Sequence, residues 1–374
     1  MVILQVLGYG SKKFGGLENF MLQLCKADNG NKYIFLYDEY PKSQIYIDEI
    51  TTAGGIIEVL DGRGYKLFTN SILFLRLLIK YKPRIVHFHF NNQYCIWGGI
   101  ARCFGVKYLF KTIHGCVYRK GIQVENLKQL GVKQRILTLN GLIFSIIKRT
   151  VCVSEYVEKQ MKIIFGDKYC FDFAYLGVKD PIFFTNRQKS NLRRELSILE
   201  NDIVLTSIMF ASKMKGGDVL IKAFAQLKSV ANIKLILIGL EPEHYYTQEL
   251  IGLAKVLGVL NNIRWIGITD NVSQYLNITD IYVQPSRSEA LSLSAVEALS
   301  YSVPVIGSNV GGLPEVSTLL FVNEDSIDLA NKLESLINSP ELRSKHSCEA
   351  YSIFEKKMSI KKGVEYYKKL YEII

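Results

Sequence analysis

The sequence predicts an α/β protein with two doubly wound parallel sheets, and three observations support this fold class. The chain has 374 residues, enough for about two domains at the usual ~100–200 residues per domain. Short β-branched runs alternate with helical patterns along its length, as in parallel sheets covered by helices on both faces. There are twelve such runs, so two sheets of about six strands fit better than one open sheet.

The predicted strands are apolar runs bounded by turns. In the first half they are 3–7, 33–37, 56–60, 85–90, 108–113 and 151–153; in the second half they are 203–209, 233–238, 263–266, 281–284, 303–306 and 319–322. Helical spacing is clear at 218–227, where Val219, Leu220 and Ala223 share one face. An irregular stretch at 177–190 is the predicted joint, which gives domains at 1–178 and 179–358 and a last helix at 359–374. Ligands of such sheets bind at the carboxyl ends of the strands, so we expect the site in a cleft between the domains.

The composition excludes several classes of protein. Apolar residues make up 48% and charged residues 22%, which is ordinary globular composition. No run approaches the ~18–20 apolar residues that span a bilayer, and the first residues lack the basic region of a signal peptide. The seven cysteines are scattered without a CxxC pair, and the five histidines lack zinc-site spacing. We therefore expect a cytoplasmic protein without a disulfide framework or a metal.

The positive charge is concentrated in one region. Residues 51–150 contain 16 Lys and Arg but 3 Asp and Glu, an excess of 13 within a chain whose net charge is +11. A local basic excess indicates a surface that faces phosphate, nucleic acid or an anionic membrane. The region lacks the signature of an RRM, a KH domain or a helix-turn-helix, which disfavours nucleic acid.

The most informative segment is 286–300, which follows the predicted strand 281–284. Glu289 lies in its loop, a helix is predicted to begin near Leu293, and Glu297 lies about one turn inside that helix. The free N–H groups at Ser292, Leu293 and Ser294 would form a natural diphosphate site. Two surface glutamates at this spacing are usually only solvated. The context favours a site, because a strand at 303–306 and a Gly-Gly turn before another helix follow.

The segment 289–316 resembles the C-terminal signature of family 4 glycosyltransferases, a retaining group of GT-B fold. Its Glu-x7-Glu pair and its Pro-Val-Ile…Gly-Gly-Leu-Pro-Glu run are similar to those of the family. The resemblance implies that Glu289 contacts hydroxyls of the donor sugar and that Glu297 holds the nucleotide ribose. The family usually has Gly-Phe-Gly where this chain has Ala290-Leu291-Ser292.

A second segment, 212–221, runs from a strand through Lys215-Gly216-Gly217 into a helix. Alone it is an ordinary turn, but it resembles the family's Glu-Lys-Gly segment, which implies that Lys215 binds phosphate. The family usually has an arginine where this chain has Phe210. Lys213 is the candidate that could replace that arginine.

The first half carries three weaker signals. Gly15 and Gly16 resemble the family's glycine turn near the diphosphate and the acceptor. His87 and His89 lie on one face of a predicted strand, where a packed histidine is the favoured interpretation for at least one of them. His114 follows the strand 108–113, and the resemblance implies a position beside the transferred sugar.

These residues predict transfer of a hexosyl group from a nucleoside diphosphate sugar to an acceptor hydroxyl. The resemblance implies retention of configuration, an acceptor domain before a donor domain, and a last helix that packs back across the joint. It also suggests a glycan or lipid-linked acceptor in bacterial surface-polysaccharide synthesis. Lys215 and the helix N-terminus would stabilise the leaving diphosphate, so no metal cofactor is expected. The alternatives are a catalytically silent paralogue and a dinucleotide oxidoreductase, which the missing G-x-G-x-x-G disfavours.

The segment 127–150 predicts a place for the acceptor. It combines Lys128, Lys133, Arg135, Lys148 and Arg149 with an apolar run. A helix with a solvated basic face and a peripheral contact with the inner face of an anionic cytoplasmic membrane are both consistent with this pattern.

Overall fold

The structure, a computed structural model, describes residues 1–11, 14–28, 30–60, 67–90, 94–116, 146–167, 169–227 and 230–372. The chain forms two compact units: Met1–Leu176 together with Lys361–Ile374, and Gly177–Ile360. In the part that is described, no helix is both long enough and apolar enough to cross a membrane.

The first unit contains a parallel sheet of seven strands in the order β3-β2-β1-β4-β5-β6-β7. Its described elements are β1 (Val2–Val6), α1 (Gly16–Ala27), β2 (Lys32–Tyr37), α2 (Gln44–Thr52), β3 (Ile56–Val59), α3 (Leu67–Tyr81), β4 (Ile85–Phe88), α4 (Tyr94–Cys103), β5 (Tyr108–Ile113), β6 (Arg149–Cys152), α5 (Glu155–Phe165) and β7 (Phe171–Phe173). The strand order reverses between β1 and β4, which pair directly. A ligand of a doubly wound sheet is expected at the carboxyl ends of the strands at this reversal.

The second unit repeats the plan with six parallel strands in the order β10-β9-β8-β11-β12-β13. Its elements are α6 (Asn186–Glu195), β8 (Ile203–Ile208), α7 (Gly217–Ala225), β9 (Ile233–Ile238), α8 (Tyr245–Val256), β10 (Ile263–Ile266), α9 (Val272–Leu276), β11 (Ile281–Gln284), α10 (Leu293–Ser300), β12 (Val305–Ser308), β13 (Leu319–Phe321), α11 (Ser326–Asn338) and α12 (Pro340–Ile353). The reversal lies between β8 and β11, which are paired.

The sheet of the second unit is buried because helices pack against it. Leu205, Leu235 and Ile281 on three neighbouring strands have no exposed surface, and Leu220 of α7 and Leu333 of α11 are equally buried in the same apolar cluster. Burial of these side chains stabilises the folded unit by about 25 cal/mol for each Å² of apolar surface that is removed from water. The loops that leave the strands at their carboxyl ends are thereby set on a rigid support.

The twelve predicted strands are present, with ends that differ by two residues at most. The largest difference is at 303–306, where the observed strand is Val305–Ser308. Pro304 lacks an N–H group for the ladder, although its carbonyl accepts from the Tyr282 N–H at 2.9 Å. The short strand β7 was missed because it has three residues and Asp172 separates its two phenylalanines.

The last described helix, α13 (Ile360–Glu372), belongs to the first unit from Lys361 onward. It packs closely on the backbone that follows β7. A Cβ atom added at Gly363 would lie 2.2 Å from the Leu176 carbonyl oxygen. This distance is far below van der Waals contact, so no side chain fits at Gly363 unless the helix moves.

Replacement of Gly363 by alanine should therefore destabilise the protein, although Gly→Ala inside a helix usually stabilises by about 1 kcal/mol. We expect Gly363→Ala to lower the free energy of unfolding by about 1–3 kcal/mol through overpacking. Gly252→Ala is the matched control, because Gly252 lies in α8 with open space around it. Urea unfolding of the three proteins measures both changes, and stabilisation by Gly363→Ala would contradict the close packing.

Candidate active site

The loops that follow β8 and β11 are in direct backbone contact at the reversal of the second sheet. The Arg287 N–H donates to the Met214 carbonyl oxygen at 2.8 Å. Gly216 adopts a φ of +69°, and a Cβ atom there would lie 1.9 Å from the Pro285 carbonyl oxygen. Glycine is required at this point both by its conformation and by the approach of the second loop.

The other side of the second loop is held in the same way. The Gly312 N–H donates to the Glu289 carbonyl oxygen at 3.0 Å. Gly311 has a φ of +57°, and its Cβ atom would lie 1.9 Å from that same oxygen. Glu289 is thus fixed between the turn after β8 and the turn after β12.

Lys215 and Glu289 form an ion pair between these loops. The Lys215 Nζ atom donates to Glu289 Oε2 at 2.6 Å, and the two side chains are 17% and 13% exposed. Ser286 Oγ donates to the same oxygen at 3.1 Å. The structure therefore brings together the predicted phosphate ligand and the predicted sugar ligand.

The aromatic ring of Phe210 contacts the Lys215 ammonium. Its ring centroid lies 5.1 Å from the Lys215 Nζ atom, within the range of a cation–π contact. The residue at the family's arginine position thus contributes to the placement of the neighbouring cation. Lys213, the predicted replacement for that arginine, is 63% exposed and lies 3.2 Å from Glu249 Oε2.

An ion-pair network around Arg287 ties the two loops together. Arg287 donates to both Asp218 oxygens, at 2.9 and 2.8 Å, and to Glu324 Oε1 at 2.6 Å. Burial opposes ionisation of Asp218, but hydrogen bonds from Arg287 and Tyr246 outweigh it and lower the carboxyl pKa. The bidentate geometry adds directional strength to this contact.

The N-terminus of α10 is capped by Ser292 and supported by a buried glutamine. Ser292 Oγ accepts from the Ala295 N–H at 3.2 Å and donates to Gln284 Oε1 at 2.9 Å. Gln284 is fully buried, and its Nε2 donates to Ser286 Oγ at 2.9 Å. The cap is therefore linked through hydrogen bonds to the Glu289 carboxylate. The first N–H groups of α10, at Leu293 and Ser294, have no acceptor within the helix by geometry.

Glu297 is half-buried on α10. Burial raises the pKa of Tyr282, and the charges of Glu297 and Glu289 add to this effect. Both predicted carboxylates therefore lie within electrostatic reach of one buried phenol.

In the first unit, the predicted glycine turn is anchored by Glu18. Gly15 precedes α1 and Gly16 is its first residue, and the Gly15 N–H donates to Glu18 Oε2 at 3.0 Å. Glu18 Oε1 also accepts from Tyr9 at 2.6 Å and from Ser11 at 2.7 Å. Burial and the Glu18 charge raise the pKa of Tyr9.

The three histidines of the first unit lie together. His87 and His89 are buried and stacked, with centroids 4.5 Å apart, as the alternation along β4 predicts. His114 Nε2 lies 2.9 Å from His89 Nδ1, and its ring stacks on Phe90. Burial, reinforced by the charge of Lys111, lowers the pKa of His114 to about 3, so the ring is neutral at physiological pH.

Residues 188–352 match the family model of glycosyl transferases group 1. An uncharacterised glycosyltransferase of Methanocaldococcus jannaschii is 31% identical over 257 residues, which cover 63% of this chain and 68% of that protein. The chain belongs to the group 1 glycosyltransferases. The prediction from the segments 212–221 and 289–316 is thereby confirmed at the level of a group 1 glycosyltransferase.

This glycosyltransferase is also similar to the N-acetyl-alpha-D-glucosaminyl L-malate synthase of Bacillus anthracis. The two are 27% identical over 237 residues, 62% of this chain and 58% of the relative. Across such curated relatives the chain spans about half of their length, 43–58%. The structure of Anabaena HepE in complex with UDP-glucose is similar over 100% of both chains, with a TM-score of 0.82 at 19% identity. This likeness confirms the predicted fold, two doubly wound Rossmann-like domains of the GT-B type.

The structure gives a physical account of one departure from the family pattern. Ser292 takes the place of a glycine, but its φ of −89° is open to any residue, and its hydroxyl caps α10. In the described part of this glycosyltransferase, no three His, Cys, Asp or Glu side chains cluster closely enough to hold a metal ion.

Several residues of this glycosyltransferase that organise the site were missed from the sequence. Arg287 lies inside the segment 286–300, and a charged residue in a loop that is predicted to bind a ligand could have indicated its role. Gln284 at the end of a buried strand was another, because a buried polar side chain needs partners. Glu18, three residues after Gly15, fits the spacing of a helix-capping glutamate.

The lowered pKa of Asp218 predicts how stability depends on pH. Ionised Asp218 stabilises the folded state fully at neutral pH, and this contribution is lost as the pH falls through the lowered pKa. Asp218→Asn should cost about 1–2 kcal/mol at pH 7, given the partial exposure of the pair. The difference from the unsubstituted protein should shrink towards pH 3. Urea titrations at several pH values measure it, and a difference independent of pH would show that the pair contributes nothing.

Proposed function

We propose that this glycosyltransferase moves a hexosyl group from a nucleoside diphosphate sugar to an acceptor hydroxyl, with retention of configuration. The observation that carries the proposal is the Lys215–Glu289 ion pair, connected through Ser286 and Gln284 to the capped N-terminus of α10. A cation, a carboxylate and free N–H groups at one sheet end suit an anionic leaving group joined to a polyhydroxylated sugar.

The diphosphate is assigned to the N–H groups of Leu293 and Ser294 and to Lys215. In the reaction the bond between the sugar C1 and the diphosphate oxygen breaks, a bond from C1 to the acceptor oxygen forms, and the proton of the acceptor hydroxyl passes to the leaving diphosphate. Negative charge grows on the diphosphate, so fixed positive groups there stabilise the transition state more than the ground state. These groups act without a metal in this proposal. The proposal also keeps Gly15 and Gly16 as donor-binding residues, on the family resemblance alone.

The two carboxylates bind different parts of the donor. Glu289 accepts hydrogen bonds from sugar hydroxyls, and Glu297 accepts them from the ribose. Lys215 already holds the Glu289 carboxylate, so arrival of the donor exchanges part of an existing ion pair for new contacts. Lys213 has Glu249 as its partner, and its substitution tests a role at the diphosphate. Retention, like the placement of His114 beside the sugar, rests on the family resemblance.

The direct test is a screen of UDP-, GDP- and ADP-sugars by thermal shift, followed by product analysis with the donor that binds. A ligand at ~100 times its Kd stabilises by about 2.7 kcal/mol. Turnover that survives EDTA supports the metal-free assignment, and turnover that requires added Mg²⁺ or Mn²⁺ refutes it. Donor binding without transfer to any hydroxyl acceptor would favour the silent paralogue.

Substitution of the two glutamates should separate the two parts of the donor. Glu297→Gln should lower the affinity for both the nucleotide sugar and the bare nucleoside diphosphate about 10–150-fold, because a charge-assisted hydrogen bond is lost. Glu289→Gln should depress kcat/KM and leave the affinity for the bare diphosphate nearly unchanged. Calorimetry with both ligands measures this, and equal losses for Glu289→Gln would show that the roles are reversed.

The two lysines give a matched pair for the phosphate. Lys215→Ala should lower kcat by about 10²–10³-fold, as removal of other transition-state donors does. Lys213→Ala is the same substitution two residues away on the exposed side. A comparable loss would assign Lys213 the role of the missing arginine. A silent Lys213→Ala would leave that role to Lys215 on its Phe210 support.

For the acceptor, we propose a lipid-linked glycan presented at an anionic membrane. Of the predicted segment 127–150, residues 127–145 lie outside the described residues, and Arg149 is in β6 with Asp172 as its ion-pair partner. The described support is the outer side of α3. Phe68 and Ile79 are 80% and 57% exposed there, and Arg76 and Lys82 are exposed beside them. Lys82 follows the last residue of α3, so exposed apolar and basic side chains lie on this helix and at its end, a combination that suits a headgroup region.

Binding to vesicles tests this surface. Arg76→Gln with Lys82→Gln should weaken co-sedimentation with anionic vesicles about 30-fold, at about 1 kcal/mol per charge. Lys255→Gln with Lys345→Gln, two exposed lysines of the second unit, is the matched control. Binding should fall with salt, because the charges are screened. Substitution of Lys133, Arg135 and Lys148 in the same co-sedimentation measurement tests the segment 127–150. Transfer to a small hydroxy acid without vesicle binding would refute the lipid-linked acceptor.

A further inference from the structure

A buried chain of hydrogen bonds in the first unit runs from the last helix to His114. Tyr371 OH on α13 lies 2.8 Å from Gln5 Nε2 in β1, and Gln5 Oε1 lies 2.9 Å from His89 Nε2. His89 Nδ1 then lies 2.9 Å from His114 Nε2. The chain joins the ends of the sequence to the residue predicted beside the sugar.

The chemistry of the Gln5 amide gives this chain a direction. Its nitrogen donates to Tyr371, so its oxygen faces His89, and a carboxamide oxygen can only accept. The proton of His89 is therefore on Nε2, and Nδ1 carries the lone pair. His114 must donate its Nε2 proton to that lone pair, which leaves His114 Nδ1 as an acceptor.

The far end of the network agrees with this direction. Tyr371 OH accepts from Gln5, so it donates to His87 Nδ1 at 2.7 Å. His87 Nε2 then donates to Thr112 Oγ1 at 2.9 Å, and the hydroxyls of Thr112 and Tyr367 lie 2.8 Å apart. The opposite order requires the Gln5 amide to turn over and every histidine to change tautomer at once. The orientation of one amide thus sets all three rings.

The histidines remain neutral in this arrangement. Burial lowers the pKa of each, and the facing cation is Lys111, whose Nζ lies 3.4 Å from the His89 carbonyl oxygen. Burial also lowers the Lys111 pKa, to about 8. With a pKa of about 3, His114 is a weak base at neutral pH, so its value to a substrate is as a hydrogen-bond acceptor.

We propose that Gln5 is a positioning residue: held by Tyr371, it fixes His114 in the neutral Nε2–H tautomer and so presents Nδ1 as an acceptor for a substrate hydroxyl. The Phe90 ring, stacked at 4.3 Å, holds the imidazole plane. The hydroxyl belongs to the donor sugar or to the acceptor, and this part of the inference rests on the proposed function. Among the described residues, the hydrogen-bond contact of the His114 ring is the one at Nε2.

Nitrogen NMR of the whole chain labelled with 15N-histidine tests the tautomer directly. The sequence contains five histidines, and a His114→Gln variant assigns the resonances. We expect His114 to show a pyrrole-type Nε2 and a pyridine-type Nδ1, unchanged between pH 5 and 8. A pyrrole-type Nδ1, or a protonated ring in that range, overturns the proposal.

Two tyrosines on α13 supply matched variants. Tyr371→Phe removes the acceptor that orients Gln5, so both His114 tautomers should appear and kcat/KM should fall about three- to tenfold, the worth of one hydrogen bond. Tyr367→Phe also removes a buried hydroxyl, but from the Thr112 end, and should leave the tautomer and the activity within twofold. Equal effects of the two variants on the tautomer overturn the role of Gln5.

A Gln5→Glu variant adds a pH profile. A carboxylate at this position raises the pKa of His89, whose second proton then turns His114 to the Nδ1–H form. Activity of Gln5→Glu should therefore fall towards acidic pH where the unsubstituted enzyme is flat, and a flat profile with an unchanged tautomer overturns the proposal. If the expected tautomer is found without turnover of any donor, the transfer activity is refuted and the role of Gln5 is supported.

Discussion

The candidate donor site depends on one steric constraint: the loop after β11 lies between two backbone segments that approach it too closely for any side chain. Gly216 and Gly311 provide these approaches. With the loop fixed, Glu289 meets Lys215 and Arg287 meets Asp218. The ion pairs are therefore consequences of backbone packing, and they tighten an arrangement that the two glycines make sterically possible.

Much of the fold could be predicted because parallel sheets leave strong local signals. The buried strands of both units are continuous apolar runs, which length and composition identify without knowledge of partners. β7 failed this criterion because its three residues include Asp172, whose partner Arg149 lies on the neighbouring strand. The strand order and the reversal points were not predicted, because the alternation of strands and helices does not say which strands pair.

The candidate site was predicted less completely, because its candidate ligands lie in local motifs, whereas the residues that support them do not. Lys215, Glu289 and Glu297 were found from short segments. Gln5 and Tyr371 are 366 positions apart, and no local spacing relates them. Phe210 shows a related difficulty. From the sequence alone it marks the loss of the family's arginine, and only the geometry shows that its ring lies beneath the Lys215 ammonium.

The inclusion of α13 in the first unit has a consequence for biosynthesis. The ribosome releases β1, β4 and β5 early, with Gln5, His87 and Thr112 destined for the interior. Their hydroxyl partners, Tyr371 and Tyr367, emerge only after the whole second unit has been made. Until then the nascent first unit lacks the tyrosine contacts of Gln5 Nε2, His87 Nδ1 and Thr112 Oγ1, and each polar atom that is buried without a partner costs about 1–3 kcal/mol. The second unit, continuous in sequence, can complete its own core first, so the order of folding should be the reverse of the order of synthesis.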